Sequence, residues 1–272
     1  LPVEIIAVIE RQTDVLARAL KVKGLMNVQF AVKDGDVYLI EVNPRASRTA
    51  PFVSKATGVP LAKLAAKVMA GKTLRELGFT EEVIPPYYSV KEAVFPFIKF
   101  PGIDIILGPE MRSTGEVMGI DPDLGIAYAK SQMSAQPALP LSGKVFISVK
   151  DSDKPAALEV ARELQALGFE VHASTGTAKY FAENGLTVPV MLKIREGRPN
   201  VVDFIKNGEV KFILNTPTGQ APREDEVAIR SAAVAARVPV MTTLRGARAS
   251  TKAIQAMNQH GYGVKSLQEF HA

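Results

Sequence analysis

Apolar residues recur at helical spacing over residues 13–21 (TDVLARALK), with Gln12 or Thr13 placed to start a helix and Gly24 to stop it. Ahead of them, residues 2–9 read as a strand. Two further strand patterns, 26–33 and 37–43, meet around Asp34-Gly35, a hairpin signal. Helical spacing returns over 52–57, breaks at Gly58-Val59-Pro60, and resumes over 61–70. The stretch 75–120 is rich in proline and glycine with short apolar runs (YYSVKEAVFPF, IDIILG), which predicts short strands and loops packed on a larger body. Residues 123–134 carry a weak helical pattern.

Residues 134–143 (SAQPALPLSG) form the clearest linker, with two prolines and no periodicity. Beyond it the pattern changes. Strand-like runs at 144–149, 170–173, 188–192, 212–215 and 238–242 alternate with helical runs at 154–167, 177–184, 200–207, 223–236 and 250–259. Such alternation predicts a parallel sheet with helices on both faces. The organisation is therefore two domains, 1–136 and 137–272, of α/β class: an antiparallel sheet with helices, then a doubly wound parallel sheet.

The hairpin carries the first candidate chemistry. A two-residue turn at Asp34-Gly35 would place Gln29 opposite Ile40, pointing away from Glu41. A three-residue loop with Gly35 at positive φ changes the parity. Then Val28, Phe30, Val32, Tyr38, Ile40 and Val42 share an apolar face, and Gln29, Ala31, Leu39, Glu41 and Asn43 share the other. Burial of the apolar face selects this register. Oxygen ligands from Gln29, Glu41 and Asn43 suit a hard cation, Mg²⁺ or Mn²⁺. Arg45 and Arg48 follow at once, as guanidinium forks for a phosphoryl group. The pattern is that of phosphoryl transfer; on spacing alone, an edge strand followed by solvated arginines remains the other reading.

A second constellation lies at strand C-termini of the parallel sheet. Ser174-Thr175-Gly176-Thr177 joins a strand to a helix, offering free amides to an anion. Ser148, Lys154, Lys193, Asn215 and Thr218 fall on the same edge, which favours a phosphate ligand over an ordinary helix cap.

Composition narrows the classes. Hydrophobic residues make up 47% and charged residues 22% of the 272, as in a folded globular protein. Without cysteine, thiolate catalysis, disulfides and cysteine-ligated metals are excluded. His172, His260 and His271 are too few for a histidine-rich metal centre. No apolar run approaches the ~18 residues of a membrane span, and no secretory leader pattern is seen, so a cytoplasmic protein is expected. The net charge of +5 is spread along the chain, with aromatics at 7% and no tryptophan; phosphate ligands explain it better than nucleic acid.

The run Tyr38-Leu-Ile-Glu41-Val-Asn43-Pro-Arg45 resembles the metal-binding end of an ATP-grasp enzyme. Its continuation through Gly58 (ASRTAPFVSKATG) is more specifically similar to the carbamoyl-phosphate synthetase large-subunit family. The similarity continues through Tyr88–Phe97 (YSVKEAVFPF) and Met111–Gly119 (MRSTGEVMG) to the C-terminus. It implies an incomplete ATP-grasp lobe that phosphorylates carbamate, followed by a methylglyoxal-synthase-like allosteric domain. Gln29, Glu41 and Asn43 match metal ligands, and Arg45 and Arg48 match phosphate-contacting arginines. Ser148, Lys154, Thr177, Lys193 and Asn215, with Ser174 and Thr218, match contacts to UMP or IMP as effector. Lys91 and Glu116 match charged positions near a carbamate tunnel, where a surface ion pair is the other reading. Glu92 and Thr242 match activator positions, but Val240 stands where ornithine-responsive members have an aromatic residue.

The same resemblance implies ATP and carbamate as substrates and bicarbonate and glutamine-derived ammonia upstream of them. It also implies a glutaminase small subunit, a homo-oligomer, and service to arginine or pyrimidine synthesis. The phosphate lid and adenine-binding residues of an ATP-grasp site lie upstream of what matches Leu1. No synthetase activity is therefore expected of these 272 residues alone, and apolar residues of 2–9 or 13–21 should face solvent. Two alternatives stand beside it. One is a free-standing nucleotide sensor. The other is a methylglyoxal-synthase-like lyase, poorly served because Asn215-Thr216-Pro217 stands where an acid is needed and Asp203 falls in a helix.

Overall fold

The computed structural model describes residues 1–95, 97, 105–106, 115–135, 137–217 and 224–272. They divide into two compact units, Leu1–Pro86 with Val264–Ala272, and Tyr87–Gly263. The sequence boundary at 136/137 lies inside the second unit.

The first unit opens with α1 (Val3–Ala19), where a strand over 2–9 was expected. Thr13 does not start the helix. Its hydroxyl donates to the Ile9 carbonyl at 2.7 Å, a bond made inside a continuing helix. Glu4 in the first turn and Arg18 in the last suit the helix dipole. No residue of α1 is buried, and Val3, Ile6 and Val15 are exposed apolar positions.

Next comes an antiparallel ribbon of β1 (Asn27–Lys33) and β2 (Asp36–Asn43). Asp34 at φ 53° and Gly35 at φ 90° form the two-residue turn between them. Then α2 (Thr49–Thr57) ends on Gly58, whose φ of 75° is the left-handed cap that frees the chain to turn. After α2 comes α3 (Leu61–Met69). The C-terminal helix Leu267–His271 also belongs to this unit: His271 Nε2 bonds the Lys55 carbonyl at 2.8 Å, near the end of α2. Ala56 is the unit's only buried residue, and every residue of this unit is described.

The second unit begins with the antiparallel pair β3 (Tyr88–Val94) and β4 (Gly115–Asp121), covered by α4 (Leu124–Ala135). A Cβ on Gly119 would stand 2.0 Å from the Ala127 carbonyl oxygen, so glycine is what lets α4 lie against the ribbon. The parallel sheet follows: β5 (Lys144–Ser148), α5 (Lys154–Ala166), β6 (Glu170–Ala173), α6 (Thr175–Glu183) and α7 (Val201–Lys206). It is completed by β7 (Val210–Asn215), α8 (Glu224–Ala235), β8 (Val240–Met241) and α9 (Leu244–His260). Strand order is β6-β5-β7-β8.

The sheet is buried on both faces, as the strand alternation requires. Val145, Ile147, Phe212 and Leu214 pack with side chains from α4, α5, α6 and α9 in one apolar cluster. Phe146 and Ile213 point the other way, onto Val201 and Ile205 of α7 and Ile229 and Ala233 of α8. The doubly wound expectation holds.

The strand expected over 188–192 reduces to two isolated bridges, Ala173–Val190 and Leu192–Asn200. Pro189 has no N–H to give to a ladder and contributes only its carbonyl, which accepts from Ala173 N at 3.1 Å. The last long helix starts earlier than expected because Thr243 caps it, its hydroxyl accepting from Gly246 N at 3.1 Å.

Candidate functional site

The β1–β2 ribbon pairs Asn27 with Asn43, Val28 with Val42 and Gln29 with Glu41. Past Gln29 the register slips: Phe30 faces Leu39, Ala31 faces Tyr38, and Ile40 has no partner. The loop is thus not the three-residue one expected. A β-bulge at Ile40, 63% exposed, makes the parity change instead. Direct partners share a face, so Gln29, Glu41 and Asn43 do converge. The correction applies beyond the bulge, where Leu39 joins Phe30 on the apolar side and Tyr38 joins Ala31.

Asn27, missed in the sequence reading, is a fourth polar group on the face shared by Gln29, Glu41 and Asn43. Its place two residues before Gln29 was the available signal. The Asn43 amide donates directly to the Glu41 carboxylate, so these two side chains meet at one point. Pro44 ends the strand, and Arg45 and Arg48 are exposed beyond it, Arg48 at the N-cap of α2. Arg45 gives one guanidinium N–H to the Ala46 carbonyl at 3.1 Å. Among the described residues no group of three or more His, Asp or Glu side chains gathers as a metal site. Any cation at the hairpin would therefore rest on one carboxylate with amide oxygens.

On the β3–β4 ribbon, Lys91 and Glu116 form an ion pair at 2.7 Å. Glu92 points to the other side, where Gln132 Nε2 on α4 donates to its carboxylate at 2.9 Å. Burial pushes the Glu92 carboxyl above its ordinary range, against the opposing effect of that bond. The Tyr128 phenol is raised as well, chiefly by burial. Both face a cavity of about 760 Å³ whose wall includes Gln132, Val240, Thr242 and Thr243.

The parallel sheet builds the third cluster. Ser148 and Asn215 are register partners at the C-terminal ends of β5 and β7, beside the point where strand order reverses. Ser148, Ser174, Thr177, Asn215 and Thr216 are all buried. At the start of α6 the Ser174 side chain makes no cap, while its carbonyl accepts from Thr177 N at 2.9 Å and Ala178 N at 2.8 Å. The Ser174 hydroxyl instead donates to Thr177 Oγ1 at 3.2 Å. Lys154 Nζ lies 3.8 Å from where a Cβ on Gly176 would stand, which puts the ammonium beside the first turn of α6. Its ion pair with Asp151 spans 2.8 Å, Asp151 being 95% exposed.

Glu196 joins two parts of this edge, accepting from Lys193 N at 2.9 Å and from the Thr175 hydroxyl at 3.1 Å. Thr218 lies outside the described residues. Sequence reasoning missed Thr216, whose hydroxyl accepts from Lys150 N at 3.1 Å, and Arg230, fully buried on α8 and bonded to Asn215. The signal for Arg230 was a lone cation inside an apolar helical run (VAIRSAAVAA).

Residues 2–77 match the family described as carbamoyl-phosphate synthase L chain, ATP binding domain. Residues 156–242 match the MGS-like domain. The carbamoyl phosphate synthase large chain of Gemmatimonas aurantiaca is 54% identical over 271 residues, covering 100% of this chain and 25% of that protein. Those of Pasteurella multocida and Archaeoglobus fulgidus are 56% identical over 264 residues and 55% over 257, covering 97% and 94% of this chain and 24% of each protein. The chain belongs to the carbamoyl phosphate synthase large-chain family. It spans about a quarter of the length of these relatives and corresponds to the C-terminal portion of the large chain. Within the family frame, the ATP-binding match contains the hairpin with Gln29, Glu41, Asn43, Arg45 and Arg48. The MGS-like match contains Ser174, Thr177, Lys193 and Asn215, while Ser148 and Lys154 precede it.

Proposed function

We propose that residues 1–136 supply the metal- and phosphate-binding wall of an ATP-dependent carbamate kinase site, and that residues 137–272 form its nucleotide-sensing module. The observation that carries this reading is the convergence of Gln29, Glu41 and Asn43 on one face of the ribbon, immediately before two arginines. In the reaction, a carbamate oxygen attacks the γ-phosphorus of ATP, the bond to the β,γ-bridging oxygen breaks, and ADP leaves.

The donor set fits one side of a hard cation's shell. Glu41 supplies the charge, Gln29 and Asn43 supply amide oxygens, and the remaining positions fall to phosphate and water. Bound there, Mg²⁺ or Mn²⁺ would neutralise phosphate charge. Arg45 and Arg48 would orient the transferred group through charge-assisted bonds.

At the sheet edge, Lys154, Lys193, Ser174 and Thr177 would hold the phosphate of UMP or IMP, with Ser148, Asn215 and Thr218 completing the contacts. Lys91 and Glu116 would line the carbamate route. The cavity beside Glu92 and Thr242 would take an activator, and Val240 offers no aromatic face there for ornithine. Within the whole large chain, a glutaminase small subunit would deliver ammonia, in a cytoplasmic homo-oligomer serving arginine or pyrimidine synthesis. The lyase reading finds no support, since Asp203 is committed to the α7 cap, accepting from Asn200 N at 2.9 Å.

Manganese titration followed by NMR tests the hairpin. Mn²⁺ should broaden the side-chain amides of Gln29 and Asn43 first, and Glu41→Gln should remove that selectivity. Broadening centred elsewhere, or indifferent to Glu41, would overturn the metal assignment.

A further inference from the structure

A sealed ion pair lies beneath the nucleotide cradle. Arg230 is 0% exposed, and Glu226, one turn earlier on α8, is 2% exposed, with 3.8 Å between the charged groups. Burying a guanidinium is unfavourable unless its charge is balanced and its N–H groups find acceptors. Glu226 provides the balance, which leaves Arg230 contributing little net positive potential to an anion. Its contact with Asn215 is specific. Arg230 Nη1 donates to Asn215 Oδ1 at 2.8 Å, and Asn215 Nδ2 donates to the Ser148 carbonyl at 3.0 Å.

These bonds fix the amide by chemistry alone. Arginine can only donate and a backbone carbonyl can only accept, so the oxygen of Asn215 must face α8 and its nitrogen must face β5. We propose that Arg230 is the positioning residue of the cradle: it holds Asn215 so that, with one Nδ2 N–H given to the Ser148 carbonyl, the second is the donor that the edge between β5 and β7 offers to an acceptor oxygen on the ligand. This rests on the reading that the cradle takes a nucleoside monophosphate, and it adds why that edge selects acceptor groups. An unrestrained amide would rotate freely, offering donor and acceptor alike.

The test is a double-mutant cycle on the 272-residue chain, read by calorimetry with UMP. Glu226→Met and Arg230→Met are made together, so that no buried charge is left unpaired, in both the Asn215 and Asn215→Ala backgrounds. Alone, the paired change should weaken UMP about tenfold, the scale of one charge-assisted hydrogen bond. With Asn215→Ala already present it should cost nothing more. Arg230→Lys, which retains a donor, should restore part of the affinity.

Side-chain amide NMR of Asn215 supplies a ligand-free readout. Its two N–H shifts should stand away from those of a solvent-exposed amide in the native chain and should move towards them in the paired variant. Equal losses in both backgrounds, or an unchanged Asn215 amide, would overturn the proposal. Should circular dichroism show the paired variant unfolded, Glu226→Gln with Arg230→Met, which keeps a polar group at 226 but leaves no donor at 230, carries both readouts, and an unchanged amide there would likewise overturn it. If the native chain binds no UMP, the cradle reading fails; the Asn215 resonances then decide separately whether Arg230 orients that amide.

Discussion

The two units of this chain place their candidate sites on different physical foundations. In Tyr87–Gly263 the cradle is a by-product of a core: a parallel sheet buried on both faces delivers Ser148, Thr177 and Asn215 to one edge, already hydrogen-bonded. In the other unit, Ala56 is the only buried residue, and the shared face of Gln29, Glu41 and Asn43 is assembled by strand register and one bulge. The first site is pre-organised by packing, so its geometry should resist local change. The second is organised by backbone hydrogen bonds, so single conformational substitutions should reach it.

Truncation in the core should separate the units most strongly. Ile213→Ala, at a fully buried position between β5 and β8, should cost about 2–5 kcal/mol in urea denaturation of the second unit. Ile6→Ala on α1 should stay within about 0.5 kcal/mol. Comparable losses at both positions would erase the distinction. Next in size, Thr177→Val removes a hydroxyl that is buried and accepts from Val149 N at 3.4 Å. It should destabilise by about 1–3 kcal/mol and weaken phosphate binding at α6, measured by thermal melts and calorimetry.

A smaller effect is expected where the hairpin depends on its turn. Gly35→Ala meets no neighbour within 4 Å but must hold φ near 90°, which should cost about 1 kcal/mol. Faster amide exchange across β1 and β2, with the second unit unaffected, would report it. The smallest effect concerns pH. Burial raises the Glu92 carboxyl, so the folded chain holds its proton more tightly than the unfolded one. That contribution is full below the ordinary glutamate value of 4.5 and is lost as pH rises through the raised value. Glu92→Gln should keep the Gln132 bond and flatten stability above that point. Because Glu92 is only half buried, the change should be modest.

Periodicity made the parallel-sheet half legible: β5, β6, β7 and the helices α5, α7 and α8 fall close to their expected places. What escaped it has local causes. Pro189 withheld an N–H and turned a strand into bridges. Thr13 looked like a cap, yet its hydroxyl folds back inside α1. At the hairpin, the facing of Gln29 and Glu41 was reached through the wrong device, because a parity argument counts residues and cannot say whether the extra one sits in the loop or in the strand. The bulge at Ile40 leaves no compositional mark. Arg230 and Thr216 were missed for another reason: their roles depend on contacts across elements, and the one mark in the sequence is the lone cation that Arg230 makes in an apolar helical run.

Isothermal calorimetry with UMP, comparing the native chain with Lys154→Met and Glu41→Gln, tests the central claim most directly. One molecule should bind per chain, Lys154→Met should weaken it at least tenfold through loss of the ammonium beside α6, and Glu41→Gln should leave it unchanged. Binding that survives Lys154→Met, or that falls with Glu41→Gln, would contradict a cradle built by the core of the second unit.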